Sequence, residues 1–580
     1  PPDSLYARLV SGVRAVDEAS DANLPALEAK ERQWFDLVDS AGFGKVKFLA
    51  DLWCAAFVWP KPATKRGVVL PEVEAAPTHG TWTRIRDGKA QPALETMKVT
   101  KELTKQYTFL HWHLAFPQVF AKGGFDVVLG NPPWEKINFE EEEYFANTHA
   151  AIATAPNKAA RKHMLDQLRI DEPSTFARYE DEKHKSDRIS FFFRFSGYFP
   201  LTGVSRINLY SVFAETALRL VSAYGRCGLV LASGIVTDDN NKRLFGAIVD
   251  EHRLIHAWDF ENSAGIFPGV HRSYKFVLLC IGGKRVLVPN PDFAFYLSRL
   301  TQLVDTERHF SLSPIELRHM NPSTGTCPTF RNRREARVAA TMYGNAQPWL
   351  LHAKEASWPG TPKTPFNMSN DSALFREVGR GQRTGPKDSL PLYESKFIFQ
   401  YNHRFAAFGV GADDGLSDVP LRSLEDPSYT VRSRYWLPRE VLNSRFPGEW
   451  FFAYRMITNA TNERAAVAAI VPERPCAHSL SIVEGLSARN ALVLLGTVNS
   501  FVYDHAARQK IAGTNFSHWI WHQLPIPSRS QIETVPAWLG AAFGEWVRPR
   551  SLELTYTAWD LEPFARAVGY GGPPFRWDPA

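Results

Sequence analysis

Residues 125–134 read FDVVLGNPPW, an apolar run that stops abruptly in an Asn-Pro-Pro-aromatic turn. Phe125, Val127, Val128 and Leu129 follow one another almost without a polar break, which is the pattern of a strand buried on both faces of a parallel sheet. Ligands bind beyond the carboxyl ends of such strands. The turn has chemistry of its own. Pro132 keeps a carbonyl acceptor while lacking an N–H, Asn131 offers a carboxamide oxygen, and two adjacent prolines hold the corner stiff. Two fixed acceptors suit an amino group whose lone pair is delocalised into a ring or carbonyl: they draw on its N–H bonds and hold it in line with an electrophilic methyl. Trp134 adds a flat face on which an extruded base can stack. The competing reading of the same letters is an ordinary loop at a sheet edge that begins with Asn-Pro.

Outward from this turn, the chain divides by composition. Residues 4–57 carry apolar side chains at helical spacing, with a cap at 21–23, and a Pro-rich polar stretch at 60–81 reads as a linker. Residues 109–120, FLHWHLAFPQVF, lead into the strand. Beyond the turn, 137–190 is charged and helical, opening on the carboxylates Glu140 to Glu143. These would repel phosphates and should face away from a nucleic acid. Over 208–283 strands and helices alternate with glycine punctuation, as an α/β sheet requires, and the pattern breaks at 286–306. The remainder to 527 mixes short strands and helices with many aromatics and arginines, and a Pro- and Trp-rich tail follows. The domain boundaries that result are a helical segment and linker at 1–108, an α/β region at 109–300 that carries the NPPW turn and the insertion 137–190, a mixed α+β region at 301–527 and a tail at 528–580.

At 580 residues the chain exceeds the size at which one core usually stops growing. Its formal net charge of +6 is compatible with a polyanionic partner but weak evidence over this length. The five cysteines, Cys54, Cys227, Cys280, Cys327 and Cys476, are far apart and never paired as CxxC, which speaks against a disulfide scaffold or structural zinc. His111 and His113 flank Trp112 on an extended-looking segment with no acidic neighbour in sequence, so no metal site is expected. The longest apolar runs are short and strand-like, 491–495 among them, which fits no membrane span. A cytoplasmic protein is the expectation.

With these residues in place, the chain resembles the gamma-type, TaqI-like amino-methyltransferases that modify adenine at N6. The likeness rests on NPPW, on INLYSVFAE at 207–215, on GLVLAS at 228–233 and on DFENSAGIFPGVHRSYKF at 259–276. Later segments, at 391–406, 434–438, 458–472 and 495–527, look like the target-recognition half of large type IIG, DISARM and BREX methylases. The resemblance implies a Rossmann-like, doubly wound α/β sheet, of which this chain holds the later part, joined to a mixed α+β recognition domain. It implies S-adenosylmethionine as cofactor, double-stranded DNA as partner, and other subunits of a phage-defence system as further partners. It places Asn131, Pro132, Pro133, Trp134 and Phe267 at the reaction, with Phe267 as the second aromatic of a clamp; the bland alternative for Phe267 is a core residue before a turn proline. Asn208, Tyr210 and Pro133 fall at the cofactor. Asparagine at 131 favours adenine over cytosine, whose N4 methylases usually carry serine there.

One departure matters. In that family an acidic, glycine-rich cofactor loop precedes the NPP turn, and nothing before Phe125 fits it; residues 41–45, AGFGK, sit between helix-like stretches. The cofactor half is therefore expected on an upstream segment or a partner chain. Two other readings stay open: a DNA-binding specificity module without catalysis of its own, and a glutamine methylase, which the Arg- and aromatic-rich second half disfavours. Candidate DNA contacts are Arg331 and Arg334 in a basic cluster, Arg432 and Arg434 beside Tyr435 and Trp436, Asn462 and Arg464 in TNATNER, and Asn515 near His518. Helix caps and turn-forming side chains are the bland alternatives for the asparagines.

Overall fold

Among the described residues, every element before Phe125 is a helix: α1 (Asp3–Glu18), α2 (Leu24–Val38), α3 (Ala41–Val58), α4 (His79–Arg86), α5 (Leu94–Tyr107), α6 (Trp112–Ala115) and α7 (Pro117–Ala121). The computed structural model describes residues 3–60, 75–204, 206–349, 360–377, 385–410, 415–511 and 514–577; most of the Pro-rich stretch at 60–81 lies outside them. Local capping sets these helices. The Asn23 carboxamide accepts from the Ala26 N–H at 3.0 Å to start α2, and Ser40 accepts from Phe43 at 3.2 Å to start α3. Residues 41–45 are thus the first turn of α3. The helix buries Leu49, Leu52, Ala55 and Val58.

The chain forms two compact units, Pro1–Asp305 and Thr306–Ala580. In the first, β1 (Phe125–Gly130), β2 (Val221–Ala232), β3 (Leu254–Glu261), β4 (Lys275–Gly282) and β5 (Asp292–Leu297) lie in the order β1-β2-β4-β3-β5. Strand β1 is parallel to β2, β3 is parallel to β5, and β4 runs antiparallel to both its neighbours. Gly124 makes the entry to β1 possible: its φ is +119, that of Gly123 is +97, and a Cβ on Gly124 would sit 2.6 Å from the Leu220 carbonyl.

The expectation that β1 is buried on both faces fails. It is the edge strand of the described sheet, and Val127 and Leu129 are 67% and 83% exposed. Nor is β1 covered on both faces among the described residues. Helix α12, which follows the four insertion helices α8 (Glu141–Phe145), α9 (Ala150–Ala153), α10 (Lys158–Asp171) and α11 (Pro173–Phe195), spans Leu209–Leu220 and packs on β1 and β2. The Cys227 thiol donates to the Ala217 carbonyl of α12 at 3.4 Å, which marks the covered face, and Leu229 and Leu231 are buried there. The alternate residues Val127, Leu129, Gly228 and Val230 belong to the other face and are exposed or half-buried.

The insertion has its own core of Phe145, Ile152, Leu165, Leu168 and Tyr179. Its carboxylates do not form a bare acidic face: Glu141 accepts from the Tyr179 hydroxyl and Lys183, and Glu142 pairs with the buried Arg161 at 2.7 Å.

The second unit centres on a sheet of β6 (Thr361–Lys363), β10 (Trp450–Arg455), β11 (Ala468–Pro472) and β12 (Leu480–Glu484), in the order β11-β10-β12-β6; a smaller sheet holds β8 (Ser389–Pro391), β9 (Tyr435–Pro438) and β7 (Arg376–Glu377) in that order. Both faces of the larger sheet are sealed. Phe452, Tyr454, Ala468 and Ile470 join a core with Trp349, Leu495 and Trp521, while Phe451, Ala453, Val471 and Ile482 join another with Phe366, Leu390 and Phe397. Residues 491–495, expected as a strand-like piece, are instead part of a helix, Ala488–Val498, whose apolar residues are buried all round. The tail is no separate body: Ile532, Leu552, Tyr556 and Phe564 sit in the first of these cores.

Candidate active site

Because β1, β2 and β3 point the same way, Asn131, Ser233 and Asn262 all emerge at one rim of the sheet. Asn131 and Pro133 are exposed there, and Pro132 and Trp134 are half-buried. The segment after the turn is tied down by backbone bonds, from the Ile137 N–H to the Ile207 carbonyl at 3.1 Å and from Leu209 to Glu135 at 3.0 Å. These couple the NPPW corner to the start of α12.

Trp134 packs against the cluster of Phe260, Phe276, Ala294 and Leu297. Phe267 meets the same cluster edge-on, its ring 5.0 Å from that of Phe276, and it remains 37% exposed. The two aromatics singled out in the sequence therefore converge on one apolar patch at the rim. The indole Nε1 of Trp134 is buried without a hydrogen-bond partner among the described residues.

Sequence reasoning missed the residue that presents Phe267. Asn262 is fully buried and makes three bonds with its carboxamide: it accepts from the Phe267 N–H at 2.9 Å and donates to the carbonyls of Phe267 at 3.0 Å and Val270 at 2.8 Å. It lies inside the quoted segment 259–276, yet nothing in its spacing distinguishes a loop staple from an ordinary polar turn residue.

Beside it, Asp259 is buried and accepts from the Ser233 hydroxyl. Burial pushes its carboxyl up to about 6, against the pull of that hydrogen bond and of Lys275. An acid so placed is half-protonated near pH 6 and mostly ionised at neutrality.

The residues expected at the cofactor are differently disposed. Tyr210 is buried, and its hydroxyl receives Asn208 Nδ2 at 3.4 Å and Asn241 Nδ2 at 3.2 Å. Asn241 also donates to the Gly234 carbonyl at 2.8 Å and accepts from Ser211 at 2.6 Å. Tyr210 and Asn208 thus brace the rim between α12 and the end of β2. No glycine-rich loop between a strand and a helix precedes β1 among the described residues. The residues present do not by themselves make the cofactor cradle that the resemblance implies.

His111 does have an acidic partner, contrary to the expectation. Its Nε2 lies 2.8 Å from Asp51 of α3, whose other oxygen meets Lys47 at 2.6 Å. Burial works against the Asp51 charge, but these two partners hold its carboxyl below the ordinary range. His113 lies in α6 rather than on an extended segment. No cluster of His, Cys, Asp or Glu among the described residues is arranged to hold a metal ion, and no described helix is long and apolar enough to cross a membrane.

The candidate DNA contacts separate in the same way. Arg331 and Arg334 are exposed around the start of α13 (Arg333–Asn345 in the second unit), which Asn332 caps. Arg434 lies over the Phe408 ring at 4.3 Å, and Arg432 donates to the Gly409 carbonyl at 3.4 Å. Asn462 and Asn515 are exposed, Asn515 forming a backbone bridge with Ile457. Arg464 is turned inward: it stacks on Phe501 at 4.1 Å, lies 3.7 Å from Asp504 and donates to the Asn499 carbonyl at 2.9 Å. Its role is to fasten the TNATNER loop, in which Asn459 caps the Thr461 N–H at 2.9 Å.

Residues 53–163, which contain the NPPW turn, match the Eco57I restriction-modification methylase family. Among solved structures, the chain is similar to the type IIG restriction endonuclease BpuSI, at 12% identity and TM-score 0.27 over 90% of this chain and 64% of that one. It is also similar to the type IIL restriction-modification enzyme MmeI in complex with DNA, at 10% identity and TM-score 0.32 over 92% and 69% of the two chains. A third likeness is to the type ISP enzyme LlaGI with a DNA substrate mimic, at 10% and 0.32 over 73% of this chain and 35% of that one. The chain therefore spans about two thirds or less of BpuSI and LlaGI. No curated protein matches.

Proposed function

We propose that this chain is the acceptor-binding and DNA-reading part of a site-specific DNA methyltransferase that modifies adenine at N6 in restriction-modification or phage defence. The observation that carries the reading is the NPPW corner, exposed at the carboxyl rim of β1 with Trp134 and Phe267 converging beside it. The match of residues 53–163 to a methylase family adds support.

In this reading the target adenine leaves the duplex, at a cost of a few kcal/mol in lost stacking and pairing. Stacking on Trp134 and Phe267 offsets part of that, at about 1–3 kcal/mol per aromatic face. The Asn131 carboxamide oxygen and the Pro132 carbonyl accept the two N6 hydrogens, which orients the nitrogen lone pair. S-adenosylmethionine supplies, when bound, an electrophilic methyl. We place the rest of its cradle on a further segment or a partner chain that adds to the open side of β1, with Pro133, Asn208 and Tyr210 forming the near wall.

The test supplies labelled S-adenosylmethionine and duplex DNA to this chain, to the protein extended upstream of residue 1, and to the extended protein carrying Asn131→Ala. Label on adenine N6 is expected for the extended protein, with a loss of roughly a hundredfold or more in the variant. Label that survives the substitution removes Asn131 from the chemistry. A second reading, a specificity module without catalysis, is favoured by the purely helical region before β1 among the described residues; it predicts DNA binding by every form and label from none.

A further inference from the structure

A polar cleft of about 440 Å³ opens in the second unit where β8 pairs with β9, and its lining includes Arg432, already a candidate DNA contact. Among the described residues, Arg432, Arg439 and Arg474 line it, and no Asp or Glu does. Glu473 pairs with Arg439, its backbone carbonyl accepts from Arg474 at 2.8 Å, and the charge of Arg474 also helps hold the Asp560 carboxyl low. The charged lining residues themselves are all cationic. Trp436 forms another wall, and Gly385 sets its plane: a Cβ on that glycine would sit 2.0 Å from the indole, so only bare backbone can lie so close to the ring.

Tyr429 supplies the second, independent observation. Its ring lines the cleft, and its hydroxyl is buried with no hydrogen-bond partner among the described residues. A buried hydroxyl left unpaired is costly unless something outside the protein satisfies it. The two terminal nitrogens of Arg404 donate to the carbonyls of Leu424, Asp426, Tyr429 and Thr557, so they do not serve that purpose.

Forked cations, an unpaired phenol donor and a fixed indole together match a phosphate ester that carries a flat base. The volume is too large for a phosphate alone. We propose that this cleft holds one nucleotide of a bound DNA strand, its phosphate between Arg439 and Arg474 and its base or sugar along Trp436. The DNA source rests on the function proposed above; the chemistry of the cleft does not, since a free mononucleotide would satisfy it equally.

The experiment uses the full chain and three probes: a fluorescein-labelled 20-base-pair duplex, deoxyadenosine monophosphate, and inorganic phosphate. Affinity for the duplex is measured across a salt series for the parent, Arg439→Ala, Arg474→Ala and Tyr429→Phe, with unfolding midpoints as a check on folding. For each arginine variant we expect duplex affinity to fall about tenfold, and the slope of log affinity against log salt to shrink by about 0.9, the value for one lost phosphate contact. Tyr429→Phe, which removes only the hydroxyl, should weaken binding severalfold while leaving that slope unchanged. If instead the mononucleotide binds, in an arginine-dependent way, and the duplex does not, the cleft stands as a nucleotide site while the DNA-reading function fails. Duplex binding at parental affinity and slope in all three variants, with no mononucleotide binding, overturns the cleft and leaves the methylase reading intact. Binding of inorganic phosphate alone, unaffected by Tyr429→Phe, likewise overturns it.

Discussion

The two largest sheets among the described residues use apolar residues in opposite ways. In the second unit, β10 is flanked by strands on both sides and by packed cores above and below, and Phe452, Ala453 and Tyr454 are wholly buried. In the first, β1 has one strand neighbour, one covered face, and Val127 and Leu129 open to solvent. A sealed sheet is a scaffold that needs nothing more. An open one leaves its edge backbone and its apolar face available, and the reactive-looking corner lies at the end of that same strand.

The contrast is tested most severely in the sealed core. Trp521 is fully buried and stacks on Tyr454 with ring centroids 4.2 Å apart. Trp521→Ala should destabilise the second unit by about 3–5 kcal/mol, because the cavity it leaves cannot collapse between the sheet and its helices. Urea unfolding followed by circular dichroism would measure it; a cost under about 1 kcal/mol would mean that this core is not the close-packed body described.

At the rim, the expected effect depends on pH. The Asp259 carboxyl is pushed up to about 6, above its unfolded value. The sign follows: the folded state holds the proton more tightly, so the group's favourable contribution is present below about pH 4 and is lost as pH rises through about 6. Asp259→Asn keeps an acceptor for Ser233 and never ionises. Relative to the parent it should gain about 2–3 kcal/mol by pH 8 and little at pH 4. Equal effects at both pH values would show that folding leaves the proton affinity of Asp259 unchanged.

What could be read from the letters was local. The end of β1 at the Asn-Pro-Pro run, the capping of α2 by Asn23, and the helical character of residues 137–190 follow from contacts within a few positions, and the structure has each in place. What could not be read depends on distant partners. The apolar content of β1 looked like central burial because composition reports what a strand is fit to bury, not how many neighbours it has. Residues 491–495 are equally apolar as a core strand or as a core helix, and the flanking Ser487 cap and the length of the run beyond 495 decide for the helix. Asp51 lies 60 residues before His111, so their pairing left no trace in spacing. Arg464 looked like a free cation because its partners, Phe501 and Asp504, come from a helix that only the fold brings to it.

The smallest expected effect is also the one that bears most directly on the open sheet. Leu129 is 83% exposed in the chain as it stands. Leu129→Ala should therefore change its stability by no more than about 0.5 kcal/mol, as for a surface substitution that breaks no contact. If a further segment or partner completes the sheet beside β1, the same leucine becomes buried, and the substitution should then cost about 2–5 kcal/mol in the completed assembly. The difference between the two measurements, rather than either alone, reports whether that face is covered. An effect that stays small in both would mean that the cofactor half joins elsewhere, and that the exposed apolar residues of β1 serve some end other than completing a sheet.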